Sequence, residues 1–223
     1  MKAIIVGAGP GLSASFARSL AGAGYHVALA ARGTEKLADL AEEIGASRHV
    51  CDAALPVQVA SLFAAVPDPD VVLFNAGQRA RGKFAELDPV EVERVLINSA
   101  FAGFLVAQMA AQAMLKRGRG TILITGASAS VKGYPQSAPF AMAKFALRGM
   151  AQSMARELHP KGIHVVHVVV DGGIRSAARP NPSDAPDSLL DPDAIAQSML
   201  DLVAQHRSCW SDELAVRPWV ERF

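Results

Sequence analysis

Short apolar stretches rich in β-branched residues alternate with longer stretches of helical pattern along the whole chain. The short stretches are apolar at nearly every position, which is typical of parallel strands buried on both faces of a sheet. They predict strands at residues 3–7, 26–31, 47–52, 70–77, 120–128, 163–173 and 209–214. The stretches between them predict helices at residues 12–24, 34–46, 56–66, 88–118, 137–158 and 191–206.

This order of elements predicts a single doubly wound Rossmann-type α/β domain over residues 1–223, with a parallel seven-stranded sheet and helices on both faces. The ends of the predicted helices carry matching signals. Pro56 lies in a first helical turn, where its missing N–H is not needed. The stretch 88–118 begins with acidic residues and ends with basic ones, as the helix dipole favours.

The composition narrows the class of protein. A chain of 223 residues with 51% apolar and 19% charged residues suits one domain with a large core. A net charge of +1 without a basic cluster argues against a nucleic-acid partner. Cys51 and Cys209 are too few for a disulfide framework. The chain passes from Met1 and Lys2 directly into a strand, and no apolar run reaches about 18 residues. We therefore expect a cytoplasmic protein without a leader or a membrane span.

The stretch 175–192 interrupts the pattern, because it carries four prolines and no periodicity. Long irregular connections in compact folds are usually functional or disordered. This one follows the carboxyl end of a strand, where ligands bind in open α/β sheets. It predicts a substrate lid at residues 175–191.

A glycine-rich turn, "GAGPGLS" at residues 7–13, joins the first strand to the first helix. Backbone N–H groups at such a helix start can hold a pyrophosphate, and glycines let it approach. A G-x-G-x-x-G reading from Gly7 puts Leu12 at the third glycine, whereas a second spacing uses Gly7 and Gly11. Either spacing predicts a nucleotide site, with the candidate residues Gly7, Gly9, Pro10, Gly11 and Leu12.

The second strand ends at Ala31 and Arg32, which bears on the choice of nucleotide. An NAD site has an acidic residue about 20 residues after the glycines, whereas an NADP site has an arginine nearby. A guanidinium group matches a ribose 2′-phosphate in a forked geometry. We expect NADP(H) to be preferred, with NAD(H) as the alternative; a plain surface arginine is the other interpretation.

The stretch "SAPFAMAKFAL" at residues 137–147 places a lysine in an apolar helix. Phe140 precedes Lys144 by four residues, so the ring and the lysine lie on the same helical face. Together with the other motifs, this stretch resembles the short-chain dehydrogenase/reductase family over nearly the whole chain. The matching pieces are "GAGPGLS" at 7–13, "CDA" at 51–53, "NAG" at 75–77, "INSAF" at 97–101, "ITGAS" at 124–128 and the spacing F-A-M-A-K at 140–144.

The resemblance implies a role for individual residues. Lys144 would bond the nicotinamide ribose, and Asn98 would hold a water near that lysine. Ser176 would replace a usual threonine, and Asp171-Gly172 would replace a usual Pro-Gly. The cofactor would be lined by Asp52 at the adenine and by Ala53, Asn75, Ala76, Gly77, Gly172 and Ile174. No metal site is predicted.

The chain departs from the family at the catalytic centre. Phe140 occupies the position of the catalytic tyrosine, and Ala127 occupies that of the serine. General acid–base catalysis typically contributes about 10² to 10⁴ in rate. Tyr134 and Ser128 are candidate substitutes, with an exposed loop tyrosine as the alternative for Tyr134. Ser130 is a further candidate to orient a substrate oxygen.

Other polar residues near the predicted site have two interpretations each. His164 and His167 are candidate substitutes for the missing acid/base, but we interpret them as core or strand-end histidines. Arg175 and Arg179 on the lid are able to hold an acidic substrate or to face solvent.

Two functions therefore stay open. The first is an NADP(H)-dependent oxidoreductase of atypical kind, acting on a small apolar carbonyl or alcohol substrate. The second is a catalytically silent NADP(H)-binding protein, either a sensor or a partner subunit. The helices at 88–117 and 137–158 are apolar over much of their surface, which predicts a homodimer or homotetramer.

Overall fold

The computed structural model describes residues 1–220. Its sheet has seven parallel strands in the order β3-β2-β1-β4-β5-β6-β7. The strands are β1 (Lys2–Val6), β2 (His26–Ala31), β3 (Ser47–Val50), β4 (Val71–Phe74), β5 (Gly120–Thr125), β6 (Ile163–Val170) and β7 (Glu213–Val216). The predicted doubly wound α/β fold is confirmed.

The helices are α1 (Leu12–Gly22), α2 (Ala38–Ile44), α3 (Pro56–Ala65), α4 (Pro89–Leu96), α5 (Ala102–Leu115), α6 (Ala138–Leu158) and α7 (Pro192–Ala204). Prolines occupy the first turns of several of them, as predicted for Pro56. The Asp88 and Asp191 carboxylates cap α4 and α7, accepting bonds of 3.0 and 2.9 Å from the N–H groups of Val90 and Asp193.

Two hydrophobic cores cover the two faces of the sheet. Apolar residues of α3, α5 and α6 pack on one face, and those of α1, α2 and α7 pack on the other. This arrangement explains why β1, β4 and β6 are apolar at consecutive positions: side chains on both faces of each strand are buried.

The predicted helix at 88–118 is interrupted by a π-helical turn at Ile97–Phe101, between α4 and α5. The sequence pattern did not reveal this turn. A π-helical turn adds one residue, and in a stretch that is apolar at most positions this extra residue does not visibly shift the pattern. Contrary to our expectation, the helical segment Pro89–Leu115 is long and apolar enough to cross a membrane, with a mean hydropathy of 1.4 over a stretch of 18 residues. Its buried side packs into the core beneath the sheet.

The boundaries of six other predicted elements were wrong. The predicted helix at 34–46 begins as a 3₁₀ turn at Glu35–Leu37. The last strand is Glu213–Val216, because Arg207–Cys209 forms a 3₁₀ turn. The strands predicted at 47–52, 70–77, 120–128 and 163–173 all end earlier than expected. Their final residues leave the sheet at its carboxyl edge and turn into loops.

The proposed lid segment is an irregular loop tied at its base. The Arg175 N–H donates to the Leu190 carbonyl, and the Leu190 N–H donates to the Gly173 carbonyl, each at 2.8 Å. The Arg175 guanidinium also pairs with the Asp191 carboxylate. The two ends of the loop therefore lie next to each other, close to the carboxyl end of β6.

Candidate functional site

Three cavities follow one another along the carboxyl edge of the sheet. The glycine-loop cavity, of about 480 Å³, is lined by Gly9, Gly11, Lys144 and Ile174 among others. The Arg32 cavity, of about 470 Å³, shares Asn75, Ala76 and Gly77 with it. The Tyr134 cavity, of about 490 Å³, shares Ala127, Phe140, Gly172 and other residues with it on the other side. The three form one cleft at the edge where such folds bind ligands.

Gly7 brings the glycine-rich turn against β4. Its φ of +82° is a left-handed conformation that favours glycine, and an added Cβ would stand 2.5 Å from the Ala76 nitrogen. The Ser13 hydroxyl donates to the Gly7 carbonyl at 3.2 Å and accepts from the Asn75 amide at 2.7 Å. These bonds hold Asn75 beside the turn, and both residues line the glycine-loop cavity together with Leu12. Pro10 instead faces a pocket beneath residues 175–180.

The Arg32 cavity contains the residues predicted for the adenosine part of a cofactor. Arg32, Asp52 and Ala53 all line it. The Asp52 carboxylate accepts a 3.0 Å bond from the Ala54 N–H, which fixes the loop after β3. Lys36 and Glu35 also line the cavity. Sequence reasoning missed these two, although both lie just after Arg32 in a helix start, where side chains face the strand ends.

Lys144 is buried at the base of the glycine-loop cavity. Its ammonium donates a 2.7 Å bond to the Thr125 carbonyl, at the last residue of β5. Burial, and to a smaller extent the Arg79 guanidinium, lowers the pKa of Lys144 to about 8. The helical spacing predicted from the sequence is confirmed, since Nζ lies 5.8 Å from the centre of the Phe140 ring. The Lys144 amine, with a pKa of about 8, therefore lies beside the Phe140 ring, which has no hydroxyl group.

The loop after β5 presents Ala127 and Ser128 to the cleft and turns Ser130 away from it. Ser130 is fully buried, and its hydroxyl accepts a 3.1 Å bond from the Ala127 N–H. It is therefore not placed to orient a substrate oxygen. Ser128 and Tyr134 line the Tyr134 cavity together with Phe140. Tyr134 is partly exposed there, with the Lys132 ammonium 5.8 Å from its ring centre.

Asn98 lies in the π-helical turn, a distortion common at functional sites. Its amide nitrogen donates a 2.7 Å bond to the Gln78 side chain, and the two residues line the Arg32 cavity. The neighbouring Ser99 hydroxyl accepts a 3.0 Å bond from the Gln78 N–H. The turn thus anchors Gln78 at the start of the loop after β4. Neither Gln78 nor Ser99 was among our candidates.

The turn after β6 closes the other wall of the glycine-loop cavity. Gly172 and Ile174 line it as predicted, whereas Ser176 lies on the exposed loop, outside this cavity. An added Cβ on Gly172 would stand 2.7 Å from the Pro218 ring, so the turn packs closely against the segment after β7. An added Cβ on Gly173 would stand 2.6 Å from the Arg179 guanidinium carbon.

Arg79 and Arg81 are further cleft residues that sequence reasoning missed. Both line the Tyr134 cavity, and Arg79 also lines the glycine-loop cavity. The Arg79 guanidinium carbon lies 4.3 Å from the centre of the Phe140 ring. The sequence signal for these two residues was the presence of two arginines in one short loop, "GQRARGK" at residues 77–83.

Both histidines of β6 are buried, in agreement with the core interpretation. His164 bonds the Ser211 carbonyl at 2.8 Å and stacks on Trp210. His167 bonds the Glu213 carboxylate at 3.2 Å, and Glu213 also accepts both arms of the Arg148 guanidinium, at 2.7 and 2.8 Å. Burial lowers the pKa of each histidine. Within residues 1–220, no group of three or more His, Cys, Asp or Glu side chains is placed to hold a metal ion.

Comparison with known proteins gives a consistent picture. The family model described as short chain dehydrogenase matches residues 1–185. The 3-oxoacyl-acyl-carrier-protein reductase of Rickettsia felis is 26% identical over 78% of this chain and 72% of its own. Among solved structures, a short-chain dehydrogenase from Rhodopseudomonas palustris is 34% identical, with a TM-score of 0.84 and 98% of each chain covered.

A second solved structure is a metagenomic short-chain oxidoreductase in complex with NADP. It is 28% identical, with a TM-score of 0.85, over 99% of this chain and 98% of that one. The family model covers most of the sequence, and the sheet order and cleft agree with it. The chain belongs to the short-chain dehydrogenase family of oxidoreductases.

Proposed function

We propose that the protein is an NADPH-dependent reductase of small carbonyl compounds, or a dehydrogenase of the corresponding alcohols in the reverse direction, with an altered catalytic centre. The carrying observation is Lys144, a buried amine with a pKa of about 8 at the base of the cleft, beside Phe140. A proton donor suits catalysis best when its pKa lies near working pH. Lys144 meets this requirement without a tyrosine.

The cleft fits a dinucleotide. The glycine-rich turn packs on Ala76 so closely that only glycine is accommodated at position 7. An added Cβ on Gly9 or Gly11 would meet nothing within 4 Å, which leaves open space for a pyrophosphate at the start of α1. Asn75 would lie between the two halves of the cofactor. Gly172 and Ile174 would face the nicotinamide.

The Arg32 cavity favours NADP(H). It has two cations, Arg32 and Lys36, against two acids, Asp52 and Glu35, and no acid at Ala31. A guanidinium pairs well with a 2′-phosphate. The 28% identical metagenomic oxidoreductase is described in complex with NADP, which agrees with this preference.

In the proposed mechanism, bound NADPH supplies a hydride to the carbonyl carbon. Lys144 donates a proton to the oxygen of the developing alkoxide, and the resulting amine takes up a proton from solvent. Its bond to the Thr125 carbonyl keeps Nζ in place and leaves N–H groups for the cofactor ribose and the substrate. Ser128 and Tyr134 would hold the substrate oxygen in the Tyr134 cavity. Asn98 would act through Gln78 by fixing the loop after β4.

A panel of aldehydes and ketones with NADPH tests this function by loss of cofactor absorbance. We expect turnover at pH 7, with kcat falling as the pH rises past about 8, because the ammonium form of Lys144 is the proton donor. Lys161→Met, on an exposed lysine, serves as the control and should retain the rate. A protein that binds NADPH but reduces nothing on the panel would instead be the silent cofactor-binding protein.

We further propose a homodimer or homotetramer built on α5 and α6. Ile97, Phe101, Phe104, Met142 and Phe145 are exposed large apolar residues on the helical segments that contain these helices. Monomers rarely leave such groups uncovered. Light scattering at micromolar concentration should give a multiple of the chain mass of 23.4 kDa. Phe104→Lys should shift the mass towards one chain.

We propose that residues 175–191 act as a lid and that the protein works in the cytoplasm, without nucleic acid or a membrane as partner. The loop borders the cleft through Arg179, and backbone hydrogen bonds join its two ends at the base. Trypsin should cleave after Arg175, which precedes Ser176 on the same loop, more slowly once NADP(H) is bound, and equal cleavage rates would exclude closure. Cys51 and Cys209 are both free thiols, as expected in a reducing compartment.

A further inference from the structure

Three arginines meet at the mouth of the Tyr134 cavity and form what we call the arginine rim: Arg79, Arg81 and Arg179. Two come from the loop after β4 and one from the proposed lid. No acidic side chain lines this cavity among residues 1–220. The rim therefore makes the wall of this cavity positively charged.

Two rim residues are held in position by residues of the site. The Arg79 guanidinium lies on the Phe140 ring, at 4.3 Å from its centre. The Arg179 guanidinium lies against Gly173, where an added Cβ would stand 2.6 Å from its central carbon. Both side chains line the cleft and are also exposed to solvent, so a ligand can reach them.

The positive charge of the rim is not balanced by carboxylates. Within residues 1–220, none of the three arginines forms an ion pair, although ten such pairs occur elsewhere. Burial lowers the pKa of Arg79, and the charges of Arg81 and Arg179 lower it further. Arg79 is thus repelled by the like charges of Arg81 and Arg179. An anion placed between them would relieve this repulsion.

We propose that the arginine rim binds a carboxylate of the substrate, so that the physiological substrate is an oxo acid reduced to the corresponding hydroxy acid. This inference rests on the proposed function and specifies its substrate class. The carboxylate would bond the rim while the carbonyl lies towards Lys144 and Ser128. The reaction balances as oxo acid, NADPH and one proton giving hydroxy acid and NADP⁺.

A second interpretation assigns the rim to the cofactor pyrophosphate. Arg79 and Arg179 also line the glycine-loop cavity, so they would be able to contact it. Arg81 lines the Tyr134 cavity but not the glycine-loop cavity. Arg81 therefore distinguishes the two interpretations.

The first experiment compares oxo acids with their methyl esters at three chain lengths: 2-oxopentanoate, 4-oxopentanoate and 5-oxohexanoate. We expect kcat/KM for at least one acid to exceed that of its ester by about tenfold. Arg81→Gln should reduce this acid-to-ester ratio at least fivefold, whereas Arg156→Gln, an exposed arginine on α6, should leave it unchanged. Esters that equal or exceed their acids at every length would overturn the proposal.

The second experiment does not depend on turnover. Calorimetry measures the binding of pentanoate and of pentanamide to the protein saturated with NADP⁺, and to the free protein if NADP⁺ does not bind. We expect pentanoate to bind more tightly, and Arg81→Gln to abolish the difference. A silent enzyme that still prefers pentanoate would refute the proposed activity and keep the carboxylate site. Equal binding of the two ligands, or an Arg81→Gln variant that loses only NADP⁺ affinity, would refute the carboxylate site.

Discussion

The Arg32 cavity and the Tyr134 cavity lie on either side of the glycine-loop cavity, and they differ in what builds them. On the Arg32 side, small residues such as Ala53, Ala76 and Gly77 stand among polar side chains such as Lys36. On the Tyr134 side, small residues such as Ala127 stand among the aromatic rings of Tyr134 and Phe140 and the guanidinium groups of Arg79 and Arg81.

This difference bears on the two departures from the family pattern that we propose, at positions 127 and 140. A backbone wall is fixed by the fold, because replacing Gly7 would push a Cβ into Ala76. A side-chain wall can change one residue at a time while the sheet stays intact. Ala127 and Phe140, at the two proposed departures, both line the Tyr134 cavity. Five measurements test this contrast between the two sides, and their expected effects decrease in order.

The strongest test is Lys144→Met. The variant loses the buried amine that we propose as proton donor, so single-turnover reduction should slow by about 10³-fold. The measurement is NADPH oxidation under saturating cofactor, which separates chemistry from cofactor binding. A rate within threefold of the native rate would remove Lys144 from the mechanism.

The same substitution should stabilise the cofactor-free protein. An unfolded lysine keeps its proton to about pH 10.5, whereas folded Lys144 releases it at about pH 8. This difference between the two pKa values lowers the free energy of unfolding by about 3 kcal/mol at pH 7. After loss of the bond to Thr125, we expect a net gain of about 2 kcal/mol by denaturant unfolding.

The pH dependence of stability tests the sign of the effect of Lys144→Met. Because the unfolded chain binds more protons between about pH 8 and pH 10.5, the native protein gains stability as the pH rises through this interval. The advantage of Lys144→Met should therefore shrink there. Lys161→Met, at an exposed position, should show no such trend.

The double variant Ala127→Ser, Phe140→Tyr restores the family pattern on the Tyr134 side. It places a phenol beside Lys144 and a hydroxyl near the substrate oxygen, so carbonyl reduction should rise by about tenfold to hundredfold. Steady-state kinetics with confirmed NADPH binding measure this. Phe145→Tyr, an exposed ring on the same helix, is the matched control. No gain in the double variant would show that the altered centre is already complete.

Arg32→Ala tests the other side of the cleft. NADPH affinity should fall about tenfold, because a charge-assisted contact to a phosphate is lost at an accessible site. NADH affinity should stay the same. Calorimetric titration with both cofactors measures this, with Arg48→Ala on β3 as the control. Parallel losses for NADH and NADPH would mean that Arg32 holds the shared ribose or supports the fold.

The smallest effect concerns Glu213 behind the cleft. Hydrogen bonds from Arg148, and to a lesser degree from His167, hold the pKa of this carboxyl below its usual range. Its stabilisation is therefore complete near neutral pH and is lost as the pH falls through that lowered value. Glu213→Gln should cost about 1 kcal/mol at pH 7, and this cost should shrink as the pH falls and Glu213 becomes protonated. Glu157→Gln, in an exposed pair, should cost less at pH 7 and depend less on pH.

The sequence predicted the Arg32 side of the cleft more completely than the Tyr134 side. Glycines, strand ends and the i, i+4 spacing of Phe140 and Lys144 are local signals, and each leads to a defined backbone position. The positions of the Arg79 and Arg81 side chains depend on a loop without periodicity. Arg79 also depends on the Phe140 ring of α6, which is distant in sequence. The contact of Glu213 with His167 required the true register of β7, which our boundary at 209–214 missed.

The short backbone bridge between Arg175 and Leu190 has a consequence for divergence within the family. Because this bridge brings the two ends of the loop together, the residues between them can be lengthened or exchanged at a cost that grows only with the logarithm of loop length. Neither β6 nor α7 has to move when this happens. If residues 175–191 are the lid that we propose, a lineage can therefore change its substrate through insertions and deletions in one surface loop, while the sheet and the glycine-rich turn stay in place.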